Sequence, residues 1–213
     1  VSLVDGNRGI NISGTALNLS AASGSTFRLS NPMSGSGVTV TANGAGTVEL
    51  AGDYGGSLIG VLNVSVGNLR AAYPTALGGF ATINLSGTAT LQLDGSNGAL
   101  AVAPLNLTWS GRNSLIPAIE NISGSNSIAY GLSITWNTGG GIFPIQSDAG
   151  TLTVNIPMLG TAPAGFRTAL FSGSGNIAMA ATVDDNPGTT TNNVIKTGNG
   201  TLTLQAANTY TGG

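Results

Sequence analysis

The strongest constraint on the fold is a short pattern that recurs along almost the whole chain: apolar–polar–apolar, followed by Gly, Ser or Asn. Alternation with a period of two places the apolar residues on one face of a strand and the polar residues on the other. The pattern therefore predicts an all-β chain of many short strands. Its copies are Ile10-Asn11-Ile12, Leu17-Asn18-Leu19, Phe27-Arg28-Leu29, Val38-Thr39-Val40, Val48-Glu49-Leu50, Leu62-Asn63-Val64, Ile83-Asn84-Leu85, Leu91-Gln92-Leu93, Leu105-Asn106-Leu107, Leu152-Thr153-Val154-Asn155-Ile156 and Leu202-Thr203-Leu204.

Many short strands fit either a β-sandwich or a β-solenoid, and composition favours the solenoid. Glycine accounts for 34 of 213 residues, which suits corners where φ > 0 recurs at every turn. Charged residues, the usual protection of sandwich edges, are 7 % of the chain. At roughly 20–27 residues per rung, we expect a parallel β-helix of about eight to ten rungs.

Three segments look like copies of one rung. "GAGTVELAGDYGGS" (44–57) and "GNGTLTLQAANTYTGG" (198–213) share Gly-x-Gly-Thr-apolar-x-Leu, and "DAGTLTVNI" (148–156) is a shorter copy. In this interpretation Leu202 and Leu204 point inward and stack on equivalent leucines, while the glycines form bends. Asn208 stacks in a ladder or caps a turn.

The segment from Lys196 to Gly213 closely resembles the autotransporter-associated β-strand repeat, and residues 67–95 and 120–154 resemble the text between such repeats. The resemblance implies a right-handed parallel β-helix in the passenger region of a large exported bacterial protein. We therefore expect residues 1–213 to form a single solenoid segment of a longer passenger region. Repeat-like units are expected near 44–95, 120–156 and 196–213.

The charge pattern excludes several functional classes. One lysine and five scattered arginines form no cluster of the kind that nucleic-acid or anionic-membrane binding needs. No run of about 18 apolar residues predicts a spanning helix. The chain lacks histidine and cysteine, which excludes histidine-based catalysis, thiol catalysis and cysteine metal sites. A Ser–Lys pair would have to use Lys196, which lies beside a predicted turn.

Carboxylate chemistry needs two or more acids that converge on one groove. The acids here are spread along the sequence, so we expect them to be exposed turn residues. Asp184-Asp185-Asn186 has the oxygens for a calcium ion, although its polar stretch (183–193) is expected to be a solvated insertion loop. The acids are Asp5, Glu49, Asp53, Asp94, Glu120, Asp148, Asp184 and Asp185.

Trp109 and Trp136 offer two alternatives. They could form an aromatic platform for sugars, but each follows an inward Leu107 or Ile134 by two residues. Alternation therefore favours an inward, stacked pair.

These observations predict a non-catalytic structural or adhesive segment of an exported bacterial cell-surface or extracellular protein: a stalk, an adhesin body, or a matrix or filament element. We expect no cofactor and no metal, and no partner except a second copy (end-to-end or lateral) or surface glycans. The alternative is a carbohydrate-active enzyme, a polysaccharide hydrolase or lyase, on the same scaffold.

Overall fold

The chain winds into a β-solenoid of about seven turns, as described by a computed structural model. The structure describes residues 2–3, 9–55, 58–104, 106–129, 134–137, 141–159, 165–185 and 190–212. The strands of its sheets pair in parallel, and partners lie 20 residues apart at Gly60–Phe80 and 28 apart at Leu91–Ile119. Parallel pairing at these offsets confirms the solenoid and rules out the sandwich. The right-handed winding stays a prediction, in line with the usual handedness of parallel crossovers.

The strands form three long sheets and one short pair. Sheet 1 has nine strands: β1 (Ser2–Leu3), β4 (Thr26–Leu29), β6 (Thr47–Leu50), β8 (Asn68–Ala71), β10 (Thr90–Asp94), β13 (Ile119–Ser123), β16 (Ile142–Ser147), β19 (Gly165–Ser172) and β22 (Thr190–Lys196). Sheet 2 has seven: β2 (Ile10–Asn11), β3 (Ala16–Ser20), β5 (Met33–Asn43), β7 (Leu58–Val64), β9 (Phe80–Leu85), β12 (Asn106–Ser110) and β15 (Ile134–Asn137). Sheet 3 has five: β11 (Ala101–Val102), β14 (Ser125–Ala129), β17 (Thr151–Asn155), β20 (Asn176–Met179) and β23 (Leu202–Leu204). The short pair is β18 (Met158–Leu159) with β21 (Val183–Asp184), and a 3-10 turn spans Gly95–Asn97.

The cross-section of the solenoid changes along its length. From β4 to β10 the chain alternates between sheets 1 and 2, and Thr47 pairs with Asn68 only 21 residues later. From β11 onward each turn adds a strand to sheet 3, and Ile119 pairs with Ile145, 26 residues later. These longer turns explain why about seven turns form rather than the eight to ten expected.

The core is a stack of apolar side chains in register. In sheet 1 one inward column contains an apolar residue in every turn from β4 to β19, and it is buried except at Phe27, which is partly buried. Burying such side chains supplies about 1.5–3 kcal/mol each. The column is Phe27, Val48, Leu69, Leu91, Ile119, Ile145 and Phe171.

Glycines form the corners, as the sequence predicted. All positive-φ residues in the described part of the chain are glycines. Gly67, Gly150 and Gly198 also lie so close to the preceding turn that a Cβ would collide with a glycine carbonyl there. These corners therefore require glycine both for backbone conformation and for close approach.

The three Gly-x-Gly-Thr-type copies do not occupy one place in the turn, so their predicted equivalence is only partly right. The copy at 148–156 enters sheet 3 as β17, and the copy at 198–213 enters it as β23. The copy at 44–57 instead enters sheet 1 as β6. The motif specifies a corner followed by a strand, and both sheets begin at such corners.

Two further expectations need correction. Leu202 and Leu204 pair with Ile177 and Met179 rather than with leucines. The stretch 183–193 is not simply an insertion loop, because β21 takes its start and β22 takes its end. Residues 186–189, including Asn186, lie outside the described residues.

Candidate functional site

The outer face of sheet 1 carries a continuous polar ladder with one side chain per turn. Its members are adjacent in the strand register because each is the central polar residue of an alternating strand. We call this set the polar ladder. It consists of Arg28, Glu49, Arg70, Gln92, Glu120, Gln146 and Ser172.

The N-terminal half of the polar ladder is an ion-pair network. Glu49 is buried and accepts a hydrogen bond from Arg28, while Arg70 Nη1 lies 3.9 Å from Glu49 Oε2. Arg70 Nε also donates to Gln92 Oε1 at 3.1 Å. Glu49, which the sequence analysis took for an exposed turn residue, is thus a buried link between two arginines.

The C-terminal half brings two carboxylates together around one amide. Gln92 Nε2 donates to Glu120 Oε2 at 2.7 Å. Gln146 Nε2 donates both to Glu120 Oε1 at 3.1 Å and to Asp148 Oδ1 at 2.8 Å. The expectation of dispersed acids was wrong here, because residues 28 apart in sequence lie on neighbouring turns.

The environment changes the acidity of Glu120. Burial raises the pKa of Glu120, and the nearby Asp148 carboxylate raises it further against the lowering effect of the Gln92 hydrogen bond. A carboxyl group with a raised pKa beside a second carboxylate is the arrangement from which general acid catalysis is built. Asp148 is exposed, and its neighbour Ser172 donates to Gln146 Oε1 at 3.3 Å.

Asp184 and Asp185 are engaged by protein groups rather than being free for a cation. Asp184 Oδ1 accepts hydrogen bonds from the Thr209 amide at 3.0 Å and hydroxyl at 2.8 Å. Asp185 Oδ2 accepts from the Thr211 amide at 2.9 Å and hydroxyl at 2.6 Å. In the described part of the chain, no group of three or more Asp or Glu residues is placed to hold a metal ion.

Outward hydroxyl groups line sheet 3. The column Ser127, Thr153, Ala178 and Thr203 runs across four turns, and no hydrogen-bond partner of its hydroxyl groups is found among the described residues. These hydroxyl groups face solvent. We call this column the hydroxyl row.

Sheet 2 differs because its outward polar groups bind one another. Asn84 Nδ2 donates to Asn63 Oδ1 at 2.8 Å, and Thr108 Oγ1 donates to Asn84 Oδ1 at 2.6 Å. This amide ladder uses bonding capacity that the hydroxyl row leaves available.

The remaining candidates have structural surroundings. Trp109 is inward and buried, as expected, and pairs in register with Trp136, whose side chain lies outside the described part of the structure. Lys196 Nζ donates to the carbonyls of Thr197 and Gly198. Asp53 accepts from Thr75 Oγ1, and Asp94 accepts from the Ser96 amide. Asp5 lies outside the described residues.

Arg112 is a structural residue that sequence reasoning missed. Its buried guanidinium donates to the carbonyls of Ala89, Ile116 and Pro117, which ties the segment before β13 to β10. Burial lowers the pKa of Arg112 to about 10, so it remains charged at neutral pH. An arginine between Gly111 and Asn113 gives no sequence signal that it folds back onto carbonyls.

Comparisons with family models, curated proteins and solved structures found no match to this chain. The likeness to the autotransporter-associated repeat therefore stays a prediction. No helix in the described part of the chain is long and apolar enough to cross a membrane.

Proposed function

We propose that this chain is a non-catalytic structural and adhesive segment of an exported bacterial cell-surface or extracellular protein. The observation that carries the proposal is the inward column from Phe27 to Phe171, which places an apolar side chain in register in every turn of sheet 1 from β4 to β19. At about 4.8 Å per strand, the nine strands of sheet 1 span about 38 Å. A rod stacked in this way suits a stalk or an adhesin body.

The hydroxyl row supports an adhesive role toward surface glycans. Its hydroxyl groups are displayed one per turn on a rigid sheet, except at Ala178, and they carry no net charge. Sugar hydroxyls are both donors and acceptors, so they complement serine and threonine hydroxyls. A row of weak contacts gains strength through multivalency when many copies are displayed.

The test is retention of chain-coated beads on polysaccharide-coated surfaces under flow. We expect wild-type beads to be retained on at least one polysaccharide and T153V/T203V beads to be retained less. The control T39V/T41V makes the same replacement on sheet 2, at outward positions of β5. Equal retention of all three would contradict the assigned face, and absence of both retention and self-association would contradict the adhesive role.

A second candidate, hydrolysis of a polysaccharide, is favoured by one observation: Glu120 and Asp148 bind the same amide nitrogen. In this scheme Glu120 would donate the proton and Asp148 would act as the second carboxylate. Release of reducing ends that E120Q and D148N each abolish would establish the enzyme. Binding without release in wild type would leave the structural role.

A further inference from the structure

The final segment of the chain binds the edge formed by Val183, Asp184 and Asp185. The Val183 amide donates to Asn208 Oδ1 at 2.8 Å, and the Thr209 amide lies 3.3 Å from the Val183 carbonyl. Further along, the Gly212 amide donates to the Asn192 carbonyl at 3.0 Å. The segment is therefore added to the short pair as a further extended strand.

The two aspartates recognise alternate residues of that segment. Each carboxylate accepts both the amide and the hydroxyl of one threonine, Thr209 for Asp184 and Thr211 for Asp185. Asp185 is itself held in place by the Asn192 amide, which donates to its Oδ1 at 2.5 Å. Hydrogen bonds to an ionised acceptor are stronger than neutral ones, so this edge selects for threonine hydroxyls.

The residues between and beside the threonines complete the recognition. Tyr210 is partly buried and packs against the core, while Asn208 supplies the side-chain acceptor for Val183. A related contact recurs one turn apart elsewhere, where Thr75 Oγ1 donates to Asp53 Oδ1 at 2.5 Å. An aspartate that accepts a threonine hydroxyl from the next turn is thus used twice in this fold.

We propose that Val183–Asp185 is a docking edge specific for an extended Asn-Thr-Tyr-Thr segment. The chain's own residues 208–211 occupy it here, and the same segment of a second copy fits it when they are displaced. The contacts involve one short linear segment and one strand edge, which is the chemistry of β-strand addition. This recognition is independent of the adhesive role proposed above.

The test uses the full chain and a fluorescent peptide with the sequence of residues 206–212. The variant T209V/T211V weakens the internal segment, so it should bind the peptide at least about tenfold more tightly than wild type in fluorescence anisotropy. Adding D184N/D185N to that variant should reduce binding by about tenfold or more, because the charged acceptors are lost. A peptide with valine at both threonine positions should bind weakly to all forms.

Hydrogen exchange provides a second measurement on the intact chain. D184N/D185N should accelerate exchange of the Thr209 and Thr211 amides, while the matched control D53N should leave them unchanged. Circular dichroism melts establish that each variant is folded. Peptide binding that does not depend on Asp184 and Asp185, or failure of T209V/T211V to bind it, would overturn the proposal.

Discussion

Gly200 lies against Gly175 one turn earlier, so closely that a Cβ on Gly200 would collide with the Gly175 carbonyl oxygen. Gly200 has no positive φ, so its requirement for glycine is one of space alone. We expect G200A to lower the free energy of unfolding by about 2 kcal/mol, because the backbone of one turn must move.

Chemical denaturation measures this effect, and G14A is the matched control. Gly14 also lacks a positive φ, and a Cβ there would meet open space. G14A should therefore leave stability nearly unchanged. A G200A protein as stable as G14A would show that the two turns are not in contact at this corner.

Tyr54 is a second buried contact between turns, and its hydroxyl donates to the Leu29 carbonyl at 2.8 Å. Burial raises the pKa of Tyr54 above its ordinary value of 10.0, so the hydroxyl remains a donor at neutral pH. We expect Y54F to cost about 1 kcal/mol and no more, since the Ala51 amide also donates to that carbonyl. Y73F, at an exposed tyrosine, should cost nothing measurable by the same denaturation experiment.

Glu49 tests whether the polar ladder stabilises the rod. Its buried carboxylate neutralises two arginines, so E49Q should destabilise by about 1 kcal/mol and E49K by about 3 kcal/mol or more. Thermal melts at low and high salt measure the difference. Equal melting temperatures for E49Q and E49K would mean that the arginines do not interact with this position.

Glu120 tests the coupling between the two carboxylates. Its pKa is raised above the ordinary 4.5, so the folded state holds this proton longer than the unfolded state. Its contribution to stability is therefore present below pH 4.5 and falls as pH rises through the folded pKa. We expect carbon-13 NMR of the glutamate carboxyl groups to show one titration above this value.

D148N should lower the pKa of Glu120, because it removes the repulsion of a second negative charge. The chain has only two glutamates, so E49Q assigns the signal. An unchanged titration in D148N would separate the carboxylates and remove the basis of the hydrolase alternative.

The sequence by itself determined the strands, the corners and which apolar residues face inward. Val48 and Leu50 alternate with Glu49 in a way that a strand of period two requires, and Gly198 ends one strand at a conformation that suits glycine. These are local properties, because alternation and φ are set within a few residues.

Tertiary structure decided which residues meet between turns. Glu120 lies beside Gln146 and Asp148, Arg112 binds Ala89, and Asp184 binds Thr209, each across more than 20 residues of sequence. These contacts depend on the length of every turn, and turn length changes when sheet 3 begins at β11. A shift of one residue in register reverses the face of every side chain in a strand, so pairs between turns follow from the wound structure and not from the local pattern.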